Sequence, residues 1–247
     1  MHRFYIPPEK WNLDRLALDE AESHHALDVL RMKAGERAVV FDGSGSEATV
    51  EILDTSKKTV ALRTLHFAKT APLACAITLA QAIPKGKNMD LIVQKAVELG
   101  AAGIAPLLSE RTVIQCDVNE AAKKQSKWRE IAIEAAKQCG QNWLPEIQPP
   151  RGPKDFFRDG PRFDLMLIAS LQSDALPLKK LLAEFGEKRP GKVLILVGPE
   201  GDFTPAEIAL AKSHGCRPIT LGPIVLRTET AALYCLSVLS YELFSSV

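Results

Sequence analysis

The apolar positions of the chain follow one pattern up to about residue 70 and another after it. In residues 1–70 they come in short runs or alternate with polar positions, as in 47–53, where Ala48, Val50 and Ile52 share one face. A period of two is typical of strands that bury one face. We therefore expect a β-rich domain over 1–70, a small barrel interrupted by one helix.

The predicted strands of this domain are 3–6, 36–42, 47–53 and 58–67, with a hairpin loop at 43–46, where Gly and Ser alternate. Ser23 is expected to cap a helix over 24–31. Residues 68–74 have no periodicity and include Pro72, which makes them the best candidate for a domain boundary.

From residue 74 to 247, continuous apolar strands alternate with helices. This order predicts a parallel α/β sheet that is covered on both faces. The predicted strands are 76–83, 103–108, 164–169, 193–197 and 218–221. The predicted helices are 89–99, capped by Asn88, then 119–139, 177–185, 205–214 and 230–244. The last helix has more apolar surface than one face needs, so we expect it to be deeply buried or shared with a second subunit.

Composition narrows the class of protein. The chain has 247 residues, 46% of them hydrophobic, and a net charge of +1, so it does not coat nucleic acid by bulk charge. Five dispersed cysteines without CxxC spacing predict reduced thiols and no metal site. Neither a leader-like segment nor an apolar run long enough for a membrane span is visible, and we expect a cytoplasmic protein without a membrane partner.

The candidate chemistry lies near the end of the chain. Gly198-Pro199-Glu200-Gly201 follows the apolar strand 193–197, at the carboxyl end where open α/β sheets bind ligands. Thr204 and Glu207 form a capping box around Pro205, which fixes the length of this loop. A tight turn without a ligand explains the motif about equally well. The loop matches neither a dinucleotide fingerprint nor a phosphate cradle.

A second glycine loop follows the next strand and contains Leu221 and Gly222 before the run Arg227-Thr228-Glu229. Helix capping by Thr228 and a favourable dipole position for Glu229 explain part of this run. Arg227 is not explained in this way, because a cation is disfavoured at the amino end of a helix. An arginine there is better placed to hold an anion or an acidic group.

The two loops together resemble a known signature. GPEGDFTPAEI at 198–208 and LGPIVLRTETA at 221–231 are similar to motifs of the ribosomal RNA small-subunit methyltransferase E family, which is part of the SPOUT class. SHHALDVLR at 23–31, QKAVELG at 94–100 and the helix from Lys127 to Cys139 fit the same family in the same order.

The resemblance implies a PUA-like RNA-binding β-barrel followed by a SPOUT α/β domain with a trefoil knot, although folds are rarely knotted. It also implies a homodimer that uses S-adenosylmethionine to methylate N3 of a uridine in 16S ribosomal RNA, with the RNA of the small ribosomal subunit as its partner. Carried over by position, the cofactor pocket comprises Leu171, Gly198, Pro199, Glu200, Gly201, Leu221, Gly222, Leu226, Arg227, Thr228, Thr230 and Ala231.

The chain departs from the family pattern at two places. Asp202 stands where the family usually has a glycine, and Gln141-Asn142 stands where it has an arginine. Candidate contacts to RNA phosphates are Arg3, Arg31, Lys85, Lys87 and Arg111. The basic run 123–129 is better explained as a solvated helix face.

For the reaction, Arg227 is the candidate that stabilises a uridine anion, because its charge is fixed and its fork can face a carbonyl oxygen. Glu229 is a candidate proton acceptor, with helix capping as its equal alternative. Two other functions stay open at this point. One is a SPOUT methyltransferase that acts on another RNA such as tRNA, and the other is an RNA-binding module that has lost catalysis.

Overall fold

The protein forms two compact units in a computed structural model, which describes residues 1–54, 59–112, 116–186 and 188–244. The first unit comprises Met1–Pro72 together with Ile133–Leu144, and the second comprises Leu73–Ala132 and Pro145–Val247. The segment Ile133–Leu144 thus belongs with the first unit although it lies far downstream in the sequence. The domain limits of 1–70 and 74–247 stay a prediction.

The strands and helices of the described residues are numbered in chain order. The strands are β1 Arg3–Tyr5, β2 Arg37–Phe41, β3 Ser46–Asp54, β4 Ala61–Lys69, β5 Ala76–Ala82, β6 Gly103–Leu107, β7 Glu146–Ile147, β8 Leu165–Ala169, β9 Leu176–Pro177, β10 Lys192–Val197 and β11 Arg217–Thr220. The helices are α1 Glu20–His24, α2 Asn88–Glu98, α3 Val118–Cys139, α4 Pro153–Asp159, α5 Leu178–Ala183, α6 Pro205–Ser213 and α7 Thr228–Phe244.

The first unit is built on a four-stranded sheet with the order β1-β2-β3-β4. β1 and β2 are parallel, while β3 is antiparallel to both of its neighbours. Ala48, Val50 and Ile52 point into the core and are at most 1% exposed. The alternation in the sequence therefore predicted the buried face of β3 correctly.

The loop between β2 and β3 is closed by the side chain of Asp42. Its Oδ1 accepts hydrogen bonds from the backbone N–H groups of Ser44, at 2.7 Å, and Ser46, at 2.9 Å. Burial alone would raise the pKa of Asp42, but the hydrogen bonds from Ser44 and Ser46 bring this pKa below its ordinary value. The predicted hairpin is confirmed, and its loop is stabilised by an ionised carboxylate.

The second unit is a seven-stranded sheet in the order β7-β6-β5-β10-β8-β11-β9, and every pair of neighbours is parallel. β10 lies at the centre between β5 and β8, and Val193–Val197 is buried throughout. This confirms the parallel α/β sheet. Because all strands point the same way, their carboxyl ends form one edge of the sheet.

Some of the predicted helix ends are confirmed. Thr204 and Glu207 form the reciprocal capping box of α6, and Pro205 is its first residue. Gly100 and Gly140 follow the ends of α2 and α3 with φ values of 77° and 80°, a conformation that glycine adopts without strain.

The predicted caps of α1 and α2 are wrong. α1 begins earlier, and Asp19 caps it by accepting from the N–H of Glu22. The hydroxyl of Ser23 instead donates to the carbonyl of Leu18, and a π-helical turn at His25–Val29 follows α1. Lys87, not Asn88, precedes α2, and no side chain caps that helix.

Several short elements were not predicted. They are a 3-10 turn at Pro8–Lys10, α4, β7 and β9, each of seven residues or fewer, which is too short to show a period. The first residue of the predicted strand 58–67 lies outside the described residues, and the strand itself begins at Ala61. Among the helices that the structure describes, none is long and apolar enough to cross a membrane.

Candidate active site

A cavity of about 450 Å³ opens at the carboxyl edge of the parallel sheet. Three loops surround it, and they follow β8, β10 and β11, which the fold places in one half of the sheet. The first turn of α7 completes its wall. Its lining residues are Asn88, Ala169, Ser170, Leu171, Val197, Gly198, Pro199, Glu200, Asp202, Leu221, Gly222, Ile224, Val225, Leu226, Arg227, Thr228, Glu229 and Ala231.

The loop after β10 is held in a tight turn. The N–H of Asp202 donates to the carbonyl of Pro199 at 2.9 Å, and Asp202 has a φ of 60°. Glycine adopts this left-handed conformation without strain, and aspartate is one of the residues that tolerate it. The carboxylate of Asp202 also accepts from the N–H of Phe203 at 2.7 Å, so the departure from the family pattern preserves the turn.

The backbone of Gly198 lies close to the other side of this turn. A Cβ added to Gly198 would meet Oδ1 of Asp202 at 3.0 Å and the backbone nitrogen of Phe203 at 3.1 Å. A side chain at Gly198 would therefore require the turn to shift by a few tenths of an ångström. At Gly201 an added Cβ would meet only the side chain of Arg111, with its Cδ at 3.3 Å.

The loop after β11 presents apolar side chains to solvent beside the cavity. Ile224 and Val225 are each 73% exposed, and Leu171 on the loop after β8 is 68% exposed. Gly222 has a φ of 111°, and nothing lies within 4 Å of a Cβ built on it. This part of the wall is open and apolar, as expected for a surface that a ligand covers.

Thr228 does not cap α7, contrary to the prediction. Its hydroxyl accepts from Nε2 of Gln81 at 2.9 Å and donates to the carbonyl of Gly198 at 2.6 Å. Thr228 is 4% exposed and Gln81 is fully buried. The hydroxyl thus joins the end of β5, the loop after β10 and the first turn of α7.

Arg227 and Glu229 flank Thr228 and both line the cavity. The carbonyl of Arg227 accepts from the N–H of Ala231 at 2.8 Å, which places its cationic side chain at the amino end of α7. Within the described part of the chain, its guanidinium makes no hydrogen bond or ion pair. Oε2 of Glu229 accepts from the side-chain amide of Asn88 at 3.3 Å. The cavity therefore contains an unpaired cation and an oriented carboxylate.

The structure brings together most of the residues predicted for a cofactor pocket. Gly201 and Thr230 are the two that do not line the cavity, while the other ten do. Gln81 and the side chain of Asn88 were missed as site residues. A lone glutamine in the apolar run from Leu79 to Ile83 was a signal for a buried polar contact.

The five candidate RNA contacts fall into two groups. Lys85 and Lys87 follow β5, and Arg111 follows β6, so all three lie on the sheet edge that contains the cavity. The loops after β5 and β6 are both hydrogen-bonded to the loop after β10. The N–H of Lys85 donates to Glu200 at 2.9 Å, and Arg111 donates to the carbonyl of Gly201.

Arg3 and Arg31 belong to the first unit. The guanidinium of Arg3 donates to Glu47 at 2.7 Å and to Asn142, so its charge is used within that unit. Asn142, one of the two residues at the second departure from the family pattern, is thus a partner of Arg3. Arg31 is exposed and has a φ of 55°.

Among the described residues that line the cavity, none is a cysteine. Burial raises the pKa of Cys216 and of Cys235 to about 12, which keeps both thiols protonated at neutral pH. Across the described ranges, no cluster of histidine, cysteine and acidic residues has the arrangement of a metal site. The polar side chains that line the cavity include those of Asn88, Arg227 and Glu229.

Two family models match the chain. Residues 18–65 match an RNA methyltransferase PUA domain, and residues 71–240 match an RNA methyltransferase domain. These matches confirm the predicted pair of a PUA-like N-terminal domain and an α/β methyltransferase domain.

Relatives of known name cover almost the whole chain. The ribosomal RNA small subunit methyltransferase E of Bacillus subtilis is 30% identical over 98% of this chain and 97% of its own. The crystal structure of the protein of the same name from Neisseria gonorrhoeae, bound to S-adenosyl methionine, is 33% identical, with a TM-score of 0.86 over 98% of both chains. A Legionella pneumophila protein whose structure contains the bound cofactor SAM is 37% identical, with a TM-score of 0.87 over 97% of both chains.

Proposed function

The chain belongs to the ribosomal RNA small subunit methyltransferase E family, and from this we propose that it methylates N3 of a uridine in small-subunit ribosomal RNA with S-adenosylmethionine as donor. The observation that carries the proposal is the cavity at the carboxyl edge of the sheet. It combines glycine backbone and apolar walls with the cationic side chain of Arg227 and the carboxylate of Glu229.

The residues present fit S-adenosylmethionine. A cavity of about 450 Å³ lies in the range of small-molecule sites, and Gly222 leaves one wall open to close approach. Leu221, Leu226 and the backbone around Gly198 are suited to the adenosine, while Arg227 and the amino end of α7 favour a negatively charged group. When bound, the cofactor supplies a sulfonium-activated methyl group whose leaving group is a neutral thioether.

The side chains of the cavity are suited to activating a uridine. The N3 proton of uridine belongs to a weakly acidic imide, so N3 is a poor nucleophile until that proton leaves. Arg227 can donate to a carbonyl oxygen of the base and stabilise the anion. Glu229 is the candidate acceptor of the proton, and Asn88 orients it through the 3.3 Å hydrogen bond. The remaining catalytic effect is orientation of the base toward the methyl group.

Contact with RNA is proposed for the basic side chains of the same sheet edge. Lys85, Lys87 and Arg111 flank the cavity and are able to contact phosphates near the target nucleotide. Arg31, which is exposed on the PUA-like unit, is a further proposed contact. Arg3 is a weaker candidate, because its guanidinium is already paired with Glu47.

We also propose that the C-terminal segment forms a trefoil knot and that the protein acts as a homodimer in the cytoplasm. Two observations support the knot and the dimer. In the sheet, β11 lies beyond β8, whereas α7, the next element in the chain, packs on β5, β10 and α2, so the chain returns along the carboxyl edge of the sheet after β11. Tyr234 and Tyr241 of α7 and Leu91 of α2 are 47%, 74% and 42% exposed, an apolar surface that suits a second subunit.

The decisive experiment maps methylated nucleotides in ribosomal RNA by mass spectrometry, from cells with and without the protein. We expect one N3-methyluridine in small-subunit RNA to be lost without the protein. Purified protein with S-adenosylmethionine should restore it on small subunits from the deficient cells, and the Arg227→Ala variant should not. A map that is identical in both cells, with tRNA modification changed instead, would contradict the proposed substrate.

A further inference from the structure

Gln81 is a polar residue in an otherwise apolar part of the sheet. It lies near the carboxyl end of β5, beside the central strand, and it is fully buried. Its Nε2 donates to the carbonyl of Ala82 at 2.8 Å and to the hydroxyl of Thr228 at 2.9 Å. Burial of an amide is unfavourable unless it makes such hydrogen bonds, so these contacts are the physical reason that a glutamine is tolerated here.

The hydrogen bonds run in one direction. If the oxygen and nitrogen of the Gln81 amide were exchanged, the oxygen would face the carbonyls of Ala82 and, at 3.5 Å, Val197, which accept but do not donate. Nε2 must therefore face them and the hydroxyl of Thr228. That hydroxyl then directs its own proton to the carbonyl of Gly198, at 2.6 Å. We call the three groups, from Gln81, Thr228 and Gly198, the latch.

The latch joins the segments that carry the polar groups of the cavity. Thr228 lies between Arg227 and Glu229, so fixing its side chain fixes the first turn of α7 from which both neighbours project. Gly198 begins the loop on the opposite wall. In the part of the chain that the structure describes, the guanidinium of Arg227 has no hydrogen bond or ion pair of its own that would fix its position.

The amide oxygen of Gln81 is buried without a hydrogen-bond partner among the described residues. A methionine has nearly the same shape and would avoid this unpaired acceptor. The presence of glutamine is therefore better explained by its N–H group, which binds Thr228, than by packing.

We propose that Gln81 and Thr228 are positioning residues for methyl transfer, which hold Arg227 and Glu229 in place through the latch. The inference rests on the proposed function for its catalytic part. The latch itself concerns only the structure of the first turn of α7, so it can be tested without measuring catalysis.

Three variants break or retain the latch. Thr228→Val removes the hydroxyl at nearly constant shape, Thr228→Ser retains it, and Gln81→Met removes the N–H donor together with the unpaired oxygen. The matched control is Thr78→Val, the same substitution on the same strand β5, at a side chain that packs against Gly103 and does not line the cavity.

Three quantities are measured for each variant: the single-turnover rate on small subunits at saturating S-adenosylmethionine, the affinity for that cofactor by calorimetry, and amide hydrogen exchange over 228–231. We expect Thr228→Val and Gln81→Met to slow methyl transfer by roughly 10- to 100-fold, the scale of a small misplacement of catalytic groups. Exchange over 228–231 should become faster in both, because the first turn opens more often. Thr78→Val should behave like the unmodified protein. Thr228→Ser, which retains the hydroxyl, should recover most of the rate and of the slow exchange that Thr228→Val loses.

Gln81→Met provides the sharper result. It leaves the hydrogen bond from Thr228 to Gly198 in place, so cofactor affinity and thermal midpoint should stay close to the unmodified values while the rate falls. A structural role alone would instead lower the midpoint and leave the rate of the folded enzyme unchanged, which would overturn the proposal.

The experiment can refute the proposed function and the latch separately. If the unmodified protein transfers no methyl group to small subunits, the proposed function is wrong, and the exchange data still decide whether the latch exists. If the unmodified protein is active but Thr228→Val has its normal rate and normal exchange over 228–231, the latch is refuted and the proposed function is not.

Discussion

Substituting Gly198 by alanine tests whether the loop after β10 shapes the cofactor site. Gly198 does not have a positive φ, so alanine is compatible with its backbone conformation. The obstacle is packing, because the new Cβ would lie 3.0 Å from Oδ1 of Asp202, 3.1 Å from the nitrogen of Phe203 and 3.2 Å from Cα of Asp202. Two of these three atoms are backbone, so the turn itself must move by a few tenths of an ångström.

The expected magnitude follows from two opposing effects. Overpacking of this kind destabilises the folded state by about 1–3 kcal/mol. Alanine also restricts the unfolded chain, which stabilises the protein by about 0.4–1 kcal/mol. The central values leave a net loss of about 1 kcal/mol in the free energy of unfolding. S-adenosylmethionine then has to move the shifted turn back on binding, and a cost of about 1 kcal/mol for this step weakens the affinity by roughly fivefold, since 1.4 kcal/mol is a factor of ten.

Gly201→Ala is the matched control on the same loop. Its new Cβ would meet only side-chain atoms of Arg111, with Cδ at 3.3 Å and Nη1 at 3.8 Å. This long, exposed side chain can give by a few tenths of an ångström while it keeps its hydrogen bond to the carbonyl of Gly201. We expect the free energy of unfolding to change by less than about 0.5 kcal/mol and the cofactor affinity by about twofold at most. Urea unfolding and calorimetric titration measure both quantities. Equal cofactor affinities for the two variants would refute the assignment of Gly198 as the glycine that shapes the site.

Three further predictions concern catalysis, stability and assembly. Arg227→Ala should slow single-turnover methyl transfer by roughly a hundredfold, the effect of losing one anion-stabilising donor, with a much smaller change in cofactor affinity by calorimetry. A normal rate with weak binding would show that this arginine serves the cofactor. Because the pKa of Asp42 is lower in the folded state than its ordinary 3.8, its carboxylate stabilises the protein above that pH, and this contribution is lost as the pH falls through the folded-state value. Urea titrations at pH values from well above 3.8 to below it should therefore show that Asp42→Asn is less stable than the unmodified protein at the high end and that the difference shrinks on acidification. A difference that does not change with pH would contradict the assignment. Light scattering should find a dimer at micromolar concentration, and replacement of both Tyr234 and Tyr241 by serine should shift the equilibrium toward monomer. If the unmodified protein is monomeric at this concentration, the proposed dimer is contradicted.

The features that the sequence predicted well are those whose physical cause lies within a few residues. The capping box of α6 joins Thr204 to Glu207, three positions away, so the residue types alone indicate it. The buried face of β3 follows from alternation along one strand, and the centre of the parallel sheet follows from the continuous apolar run 193–197. The loops that carry Gly198 and Gly222 were located for the same reason, since each directly follows such a strand.

The features that only the tertiary structure decided depend on partners far along the chain. Thr228 has the sequence of a helix cap, but its hydroxyl binds Gln81, which is 147 positions away, and Gly198, 30 positions away. Asn88 was expected to cap α2, yet its amide reaches Glu229, 141 positions away. A short polar side chain makes only a few hydrogen bonds, and a distant partner that is buried with it competes successfully with the local backbone.

The same reasoning applies to Gly198 and Gly201, which look alike in the motif. Both are glycines in one loop of four residues, and nothing in the local sequence ranks them. The folded loop turns the hydrogen of Gly198 toward Asp202 and Phe203, and that of Gly201 toward the movable side chain of Arg111. The sequence by itself determined that a glycine loop stands at the carboxyl edge of the sheet. The packing of the folded loop decided which of the two glycines leaves less room for a side chain. Steric contact depends on atoms that lie close together in the fold, and the position of a residue in the sequence does not specify them.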